Sequence, residues 1–103
     1  MVKWLILWKM REQYYSLSKE EHAKASLLLR EMTLADLKAG SPWKDWGGKT
    51  GSDEGYGLLE GTEAEVNESL VKYSPYVSFE ATPVVSMPQL AEAAKKRAVS
   101  IKK

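Results

Sequence analysis

The segment that most constrains the fold of this chain is residues 2–10, VKWLILWKM, because it is apolar at both alternating sets of positions. Successive side chains of a β-strand point to opposite faces of the sheet, so a strand of this composition needs an apolar cover on each face. One set of positions carries Val2, Trp4, Ile6, Trp8 and Met10, and the other carries Leu5 and Leu7. The rest of the chain, or a partner molecule, has to supply both covers.

Three pairs of residues mark the beginnings of predicted helices. In each pair a serine or threonine is followed three positions later by glutamate or glutamine, which is the spacing of a capping box. The pairs are Ser18 with Glu21, Thr62 with Glu65, and Ser86 with Gln89. The first helix is predicted to end at Gly40, because glycine adopts the left-handed conformation at little cost and Pro42 blocks continuation.

Apolar periodicity and these boundaries predict a single domain covering residues 1–103. Strands are predicted at 2–10, 43–50, 56–60 and 76–85, and helices at 19–39, 63–73 and 87–99. Residues 11–17 are predicted to form a loop, and residues 100–103 a frayed tail. The order β-α-β-β-α-β, with right-handed crossovers, predicts an α+β, ferredoxin-like, four-stranded antiparallel sheet with the first strand in its interior and an added C-terminal helix.

The long first helix has apolar residues on more than one side. Its main predicted stripe consists of Ala25, Leu28, Leu29, Met32 and Ala35. Leu27 and Leu34 lie nearly opposite this stripe, and they have two interpretations: singly exposed leucines, which are common on protein surfaces, or a second contact surface. The second helix has one predicted buried face, formed by Val66, Leu70 and Tyr73.

The predicted layout leaves one face of the sheet without a cover. Both crossovers have the same hand, so both main helices lie on the same face. The C-terminal helix contains one leucine and several alanines, which is too little apolar surface to cover four strands. Because an open apolar face of this size is uncommon on soluble monomers, we predict a homodimer joined through the sheet faces. The C-terminal helix is expected to pack at the edge or to reach across to the partner.

Composition narrows the functional classes. Fifteen basic and fourteen acidic residues give a net charge of +1, which argues against a dedicated polyanion binder. The chain has no cysteine, which excludes disulfides, thiolate chemistry and cysteine metal sites. No segment approaches the ~20 apolar residues of a membrane span. We expect a cytoplasmic protein with no cofactor, no bound metal and no membrane partner.

A short segment of the third strand matches part of an RNA-binding motif. Gly55-Tyr56-Gly57 corresponds to the centre of the aromatic stretch of an RNA recognition domain. Glu54 stands where that motif has a basic residue, and Leu58 stands where it has a second stacking aromatic residue. RNA binding is therefore a minor alternative, and the other interpretation is that these glycines permit a tight hairpin and close packing of the strands.

His22 and Glu80 are the two candidate catalytic residues. His22 lies in the first turn of a helix, where the helix dipole disfavours a charged imidazole, so the neutral side chain could act as a general base. Glu80 lies on the less apolar set of positions of the fourth strand, where a covered face would make it a buried carboxylate suited to proton transfer. Each residue has an alternative interpretation as an ordinary surface side chain.

Four tryptophans in 103 residues is a high number. Trp4 and Trp8 share one set of positions on the first strand, and Trp43 and Trp46 lie in the second strand. One interpretation is core packing. The other is an aromatic-lined pocket for a small apolar molecule, with Trp8, Trp46 and Tyr56 as the candidate lining residues.

Several segments, spread in order over most of the chain, carry a family resemblance: residues 3–8 (KWLILW), 45–47 (DWG), 55–57 (GYG), and 74–77 (SPYV) through 83–84 (PV). On these segments the chain resembles the dimeric α+β barrel superfamily, which includes muconolactone isomerase-like proteins, small antibiotic-biosynthesis monooxygenases and YciI-like proteins. More narrowly, it resembles a small prokaryotic family within that superfamily. The resemblance implies a dimer whose two sheets face each other, and it carries over no active-site residue.

The leading functional prediction is a protein that binds a small apolar or aromatic molecule in a pocket of a dimeric α+β barrel. The sequence leaves open whether it is an enzyme of the isomerase or monooxygenase type. The alternatives are a structural or regulatory interaction module and, with less support, an RNA-binding module. The enzyme hypothesis requires the two candidate catalytic residues and the three candidate lining residues to share one cavity.

Overall fold

The structure is a computed structural model that describes residues 2–102, so Met1 and Lys103 lie outside it. Its elements are β1 (Lys3–Met10), α1 (Glu12–Tyr15), α2 (Lys19–Ala39), β2 (Trp43–Gly48), β3 (Glu54–Glu60), α3 (Glu63–Val71), β4 (Val77–Val84) and α4 (Met87–Lys102). The four strands form one antiparallel sheet in the order β2-β3-β1-β4, with β1 in its interior. The predicted α+β class, with a four-stranded antiparallel sheet and a C-terminal helix, is confirmed.

Two segments differ from the prediction. The predicted loop at 11–17 contains a short helix, α1, because Tyr14 is buried and its ring packs against those of Tyr76 and His22. The predicted frayed tail is helical through residue 102, since the end of α4 contains no glycine or proline and is rich in good helix formers. Lys103, the last residue of that tail, lies outside the described residues.

The local signals at the helix ends are confirmed. The three predicted capping pairs exchange hydrogen bonds in the expected way: Ser18 with Glu21, Thr62 with Glu65, and Ser86 with Gln89. Gly40 ends α2 in the left-handed conformation, with a φ of 75°. A cap of this kind contributes about 1 kcal/mol to stability, so these helix ends are fixed largely by neighbouring residues.

The two faces of the sheet differ in burial. On the face covered by helices, Ile6 of β1 is fully buried, whereas Leu7, which points to the other face, is 46 % exposed. The strand register pairs Leu7 with Tyr56 on one side and with Glu80 on the other, so these three residues share the open face. One apolar set of positions of β1 is therefore covered within the chain and the other is not.

The core on the covered face is small and mixes aromatic with aliphatic side chains. Its buried residues are Ile6, Trp43, Leu59 and Val66, and Trp4, Leu37, Trp46, Leu70 and Phe79 pack against them. The three residues predicted to face inward from the second helix do so, because Val66 and Tyr73 are buried and Leu70 contacts the core. The helix itself is shorter than predicted, since α3 ends at Val71 and Tyr73 lies in the turn that follows.

The residues of α2 that face the sheet differ in part from the predicted stripe. Leu28 and Ala35 are exposed, and the partly buried positions between residues 25 and 37 are Ala25, Ser26, Leu29, Met32, Thr33, Asp36 and Leu37. Polar residues can point inward here because they have partners: Asp36 accepts a hydrogen bond from the Tyr73 hydroxyl. Leu27 and Leu28 are left on the surface, and Leu34, also mostly exposed, borders the cavity between α2 and the sheet.

A β-bulge brings both tryptophans of β2 to the covered face. The register pairs Trp43 with Leu59 and Asp45 with Leu58, so residue 44 is the extra residue of the bulge. In a regular strand, positions 43 and 46 would point to opposite faces. With the bulge, the rings of Trp43 and Trp46 stack with their centroids 3.5 Å apart and their planes 6° apart.

Two glycines of β3 lie beneath these aromatic rings. A Cβ atom added to Gly57 would lie 2.4 Å from Cζ3 of Trp43, and one added to Gly55 would lie 2.8 Å from Cε2 of Trp8. Both distances are shorter than atoms of a folded protein tolerate, so a side chain at Gly57 would displace an indole. A side chain at Gly55 would clash with the backbone of β2 at Gly47 and Gly48 as well as with the Trp8 ring. Close packing of rings and of the neighbouring strand is a sufficient reason for both glycines of the Gly55-Tyr56-Gly57 segment.

The C-terminal helix α4 does not cover the sheet of its own chain. All of its side chains from 87 to 101 are exposed, and the molecule measures 67 Å along its long axis against 25 and 22 Å across. One side of α4 carries an apolar stripe at helical spacing, formed by Met87, Leu90, Ala91, Ala94, Ala98 and Ile101. Within residues 2–102, no helix has the length and apolar character needed to cross a membrane.

We expect Gly57→Ala to lower the free energy of unfolding by about 1–3 kcal/mol, because the added methyl group must displace the buried Trp43 ring. Gly48→Ala is a matched control, since a Cβ there would be 3.6 Å from the nearest atom, an ordinary contact, and should change stability by less than about 1 kcal/mol. Urea unfolding of both variants measures the difference. Equal losses in the two would show that the Trp43 ring does not require Gly57.

Candidate ligand cavity

A cavity between α2 and the covered face of the sheet, called here the α2 cavity, is the part of the molecule best suited to hold a small molecule. Its volume is about 340 Å³, near the lower end of the roughly 300–1,000 Å³ typical of ligand pockets. Its apolar wall includes Trp8, Met10, Leu29, Leu37, Trp46 and Tyr73, and its polar positions include Ser26, Arg30, Thr33 and Asp53. An apolar wall with several aromatic rings and a few polar groups is the usual composition of such a site.

Aromatic contacts hold this wall in place. Trp46 is stacked on Trp43, and its ring meets that of Tyr73 edge to face with the centroids 5.1 Å apart. On the other side, the indole N–H of Trp8 donates to the carbonyl oxygen of Gly47 at 3.0 Å. Because each ring has a packed or hydrogen-bonded neighbour, the wall is formed in the absence of a ligand.

Asp36 fixes the Tyr73 ring in this wall. Its carboxylate accepts hydrogen bonds from the Tyr73 hydroxyl and from Nζ of Lys72, the latter at 2.6 Å. Burial of the ring raises the pKa of Tyr73, and the hydrogen bond to Asp36 and the negative charge of Asp36 raise that pKa further. Tyr73 is therefore a neutral hydroxyl over the physiological pH range and serves the cavity as an apolar wall.

The structure brings two of the three predicted lining residues together. Trp8 and Trp46 both line the α2 cavity. Tyr56 instead lies on the open face of the sheet, where it is 41 % exposed and its ring covers Gly47.

The two predicted catalytic residues lie on different sides of the sheet. His22 is on the helix side, where its ring centroid is 4.2 Å from that of Tyr14. Glu80 is exposed on the open face, where it lines a second cavity of about 330 Å³ with Leu7 and Lys9. A single chain therefore does not bring His22 and Glu80 together.

The polar side of the α2 cavity was not predicted from the sequence. Ser26, Arg30, Thr33 and Leu37 recur every three or four residues along α2 and line the cavity together. That spacing is visible in the sequence, but the stripe is of mixed polarity, so a search for apolar periodicity passes over it. Within the described part of the chain, no three histidine, aspartate or glutamate residues come close enough to hold a metal ion.

We expect Tyr73→Phe to reduce the loss of stability at alkaline pH. In the unfolded chain this tyrosine ionises near pH 10, whereas its raised pKa keeps it protonated in the folded chain. Unfolding then releases a proton, so the free energy of unfolding falls as the pH rises above about 10, by up to about 1.4 kcal/mol per pH unit. Urea unfolding between about pH 10 and 11.5 should show a shallower decline for Tyr73→Phe than for the wild type.

Phe79→Leu is the control for this comparison, because Phe79 packs against the Tyr73 ring and has no ionisable group. It should lower the free energy of unfolding and leave the dependence on pH unchanged. Identical alkaline slopes for the wild type and Tyr73→Phe would contradict the assignment.

In comparisons with known proteins, no family model matches the chain and a search of curated proteins returns no match.

Proposed function

We propose that the chain binds a small planar molecule, apolar or aromatic, in the α2 cavity. The observation that carries the proposal is the set of three rings, Trp8, Trp46 and Tyr73, that line one cavity of about 340 Å³. Aromatic side chains offer large flat surfaces that favour stacked or edge-to-face contact with a second ring system. Hydrogen bonds and stacking already hold these rings in place. Binding therefore costs little free energy for ordering the side chains of the wall.

The proposal is one of binding, and catalysis remains a separate prediction. Of the candidate catalytic residues, neither His22 nor Glu80 lines the α2 cavity. A reaction of the isomerase or monooxygenase type in this cavity would need other groups, and its polar residues are Ser26, Arg30, Thr33, Ser52 and Asp53, with the Tyr14 and Tyr73 hydroxyls.

We expect the neutral probe 2-naphthamide to bind the wild-type protein and to lose binding in Thr33→Phe, because the larger side chain fills the cavity. Leu27→Phe is the matched control: Leu27 is on the same helix, 60 % exposed, and does not line the cavity. Saturation-transfer NMR measures binding, and circular dichroism establishes that both variants are folded. Equal binding by the two variants, or none by the wild type, would refute a site in the α2 cavity.

We also propose that two ferredoxin-like chains pair through their open sheet faces to form a dimeric α+β barrel. The apolar residues of this face, Leu5, Leu7, Tyr56, Leu58 and Val84, lie on three neighbouring strands. Leu7 and Tyr56 are directly opposite each other and both are exposed in one chain. A second copy would supply a matching surface under two-fold symmetry.

The C-terminal helix supports the same assembly. Most of the stability of a helix in a protein comes from packing of its apolar face, so the exposed apolar stripe of α4 favours a partner surface. It begins three residues after β4, the edge strand of the sheet, and extends away from its own domain. In a dimer joined through the sheets, α4 could reach across the edge of the partner.

We expect light scattering coupled to size exclusion to give the mass of two chains at micromolar concentration. Leu7→Glu, at the centre of the open face, should give the mass of one chain, because pairing would bury two uncompensated carboxylates. Leu27→Glu places the same charge on the outer side of α2 and should remain dimeric. A single-chain mass for the wild type at every concentration would rule out the dimer.

A further inference from the structure

We propose that the ligand of the α2 cavity carries a carboxylate, and that Arg30 binds this carboxylate at the mouth of the cavity. The inference rests on the proposed binding function and assigns the chemical class of the ligand. It comes from one feature of the wall: Arg30 is the only lysine or arginine among the residues that line the cavity, and it is exposed at the rim.

Most hydrogen-bond donors of Arg30 are unused. One terminal nitrogen, Nη1, donates to the Ser26 side-chain hydroxyl and, at 3.4 Å, to the Ser26 carbonyl oxygen, which keeps the guanidinium beside the cavity. A guanidinium has five N–H donors. Among residues 2–102, neither Nε nor Nη2 of Arg30 has a hydrogen-bond acceptor, so this edge of the planar group is available to a ligand.

The charge of Arg30 is also not neutralised by a neighbouring side chain. In the described part of the chain, the ion pairs are Lys24 with Glu20, Lys49 with Glu54, and Lys72 with Asp36, and none includes Arg30. The one carboxylate in the cavity wall belongs to Asp53, which accepts a hydrogen bond from the Tyr15 hydroxyl at 3.0 Å. Among residues 2–102, Arg30 therefore has no counter-ion, and it lies in the same cavity wall as the aromatic rings.

A carboxylate fits this arrangement better than a phosphate. A planar guanidinium binds either a carboxylate or a phosphate in a bidentate pair, so the difference lies in the charge of the ligand. A phosphate carries a larger negative charge, and here it would meet one cation and the Asp53 carboxylate in the same wall. Because Arg30 is exposed, its charge is partly screened by water, so the ring contacts supply a share of the affinity that does not depend on the carboxylate.

The test compares 2-naphthoate with 2-naphthamide, which have nearly the same shape and differ in charge. Isothermal titration calorimetry at neutral pH and low salt should show naphthoate binding the wild type about tenfold more tightly than the amide, as expected for a charged hydrogen-bonded pair. Arg30→Gln should lower the affinity for naphthoate to that for the amide and leave the affinity for the amide unchanged. Lys24→Gln removes a positive charge from the same helix outside the cavity and should alter neither.

Two results would overturn the assignment while leaving the proposed function intact. One is equal affinity of the wild type for the acid and the amide, and the other is an unchanged preference for the acid in Arg30→Gln. Failure of both compounds to bind the wild type would instead refute the proposed function, and the ligand class with it.

Discussion

The structure depends on the contact between indole rings and a strand that has no side chains beneath them. Gly57 of β3 leaves the space in which the Trp43 ring lies directly on the backbone, and Gly55 leaves space for both the Trp8 ring and the close backbone of β2. A buried aromatic side chain removes roughly 150–250 Å² from water, so the Trp43 ring contributes a large share of the surface buried in a core that also contains five aliphatic side chains. The same packing sets the distance between α2 and the sheet, and the α2 cavity occupies the space that remains.

The polar ends of the indoles have different surroundings. Trp4 donates its N–H to the carbonyl oxygen of Gly61, and Trp8 donates to that of Gly47, so each ring ties β1 to a more distant segment of the chain. In the part of the chain that the structure describes, the buried N–H of Trp43 has no acceptor. Leaving such a group unpaired costs about 1–3 kcal/mol, which the stacking on Trp46 and the burial of the ring have to offset.

The features that could be predicted from the sequence are those encoded by neighbouring residues. The capping pairs, the glycine that ends α2 and the two-sided apolar character of β1 all depend on spacings of a few positions. The features that could not be predicted depend on residues distant in sequence. The β-bulge at position 44 is defined by pairing with β3. The helix at 12–15 accompanies the burial of Tyr14. The inner side of α2 includes Asp36, which accepts a hydrogen bond from the Tyr73 hydroxyl. The position of Arg30 could not be predicted for the same reason, because it depends on the aromatic residues of other elements that line the same cavity.

The isolation of α4 gives the chain two levels of local stability. The amides of β1 are hydrogen-bonded between two strands, so their exchange with solvent requires the sheet to open. The amides of α4 are bonded only within a helix whose side chains from 87 to 101 are exposed, so they exchange when that helix frays while the sheet stays intact. A molecule that covers the apolar stripe of α4 slows amide exchange in α4 and leaves amide exchange in β1 unchanged. Protection of the α4 amides against exchange therefore measures the fraction of molecules in which the apolar stripe of α4 is covered.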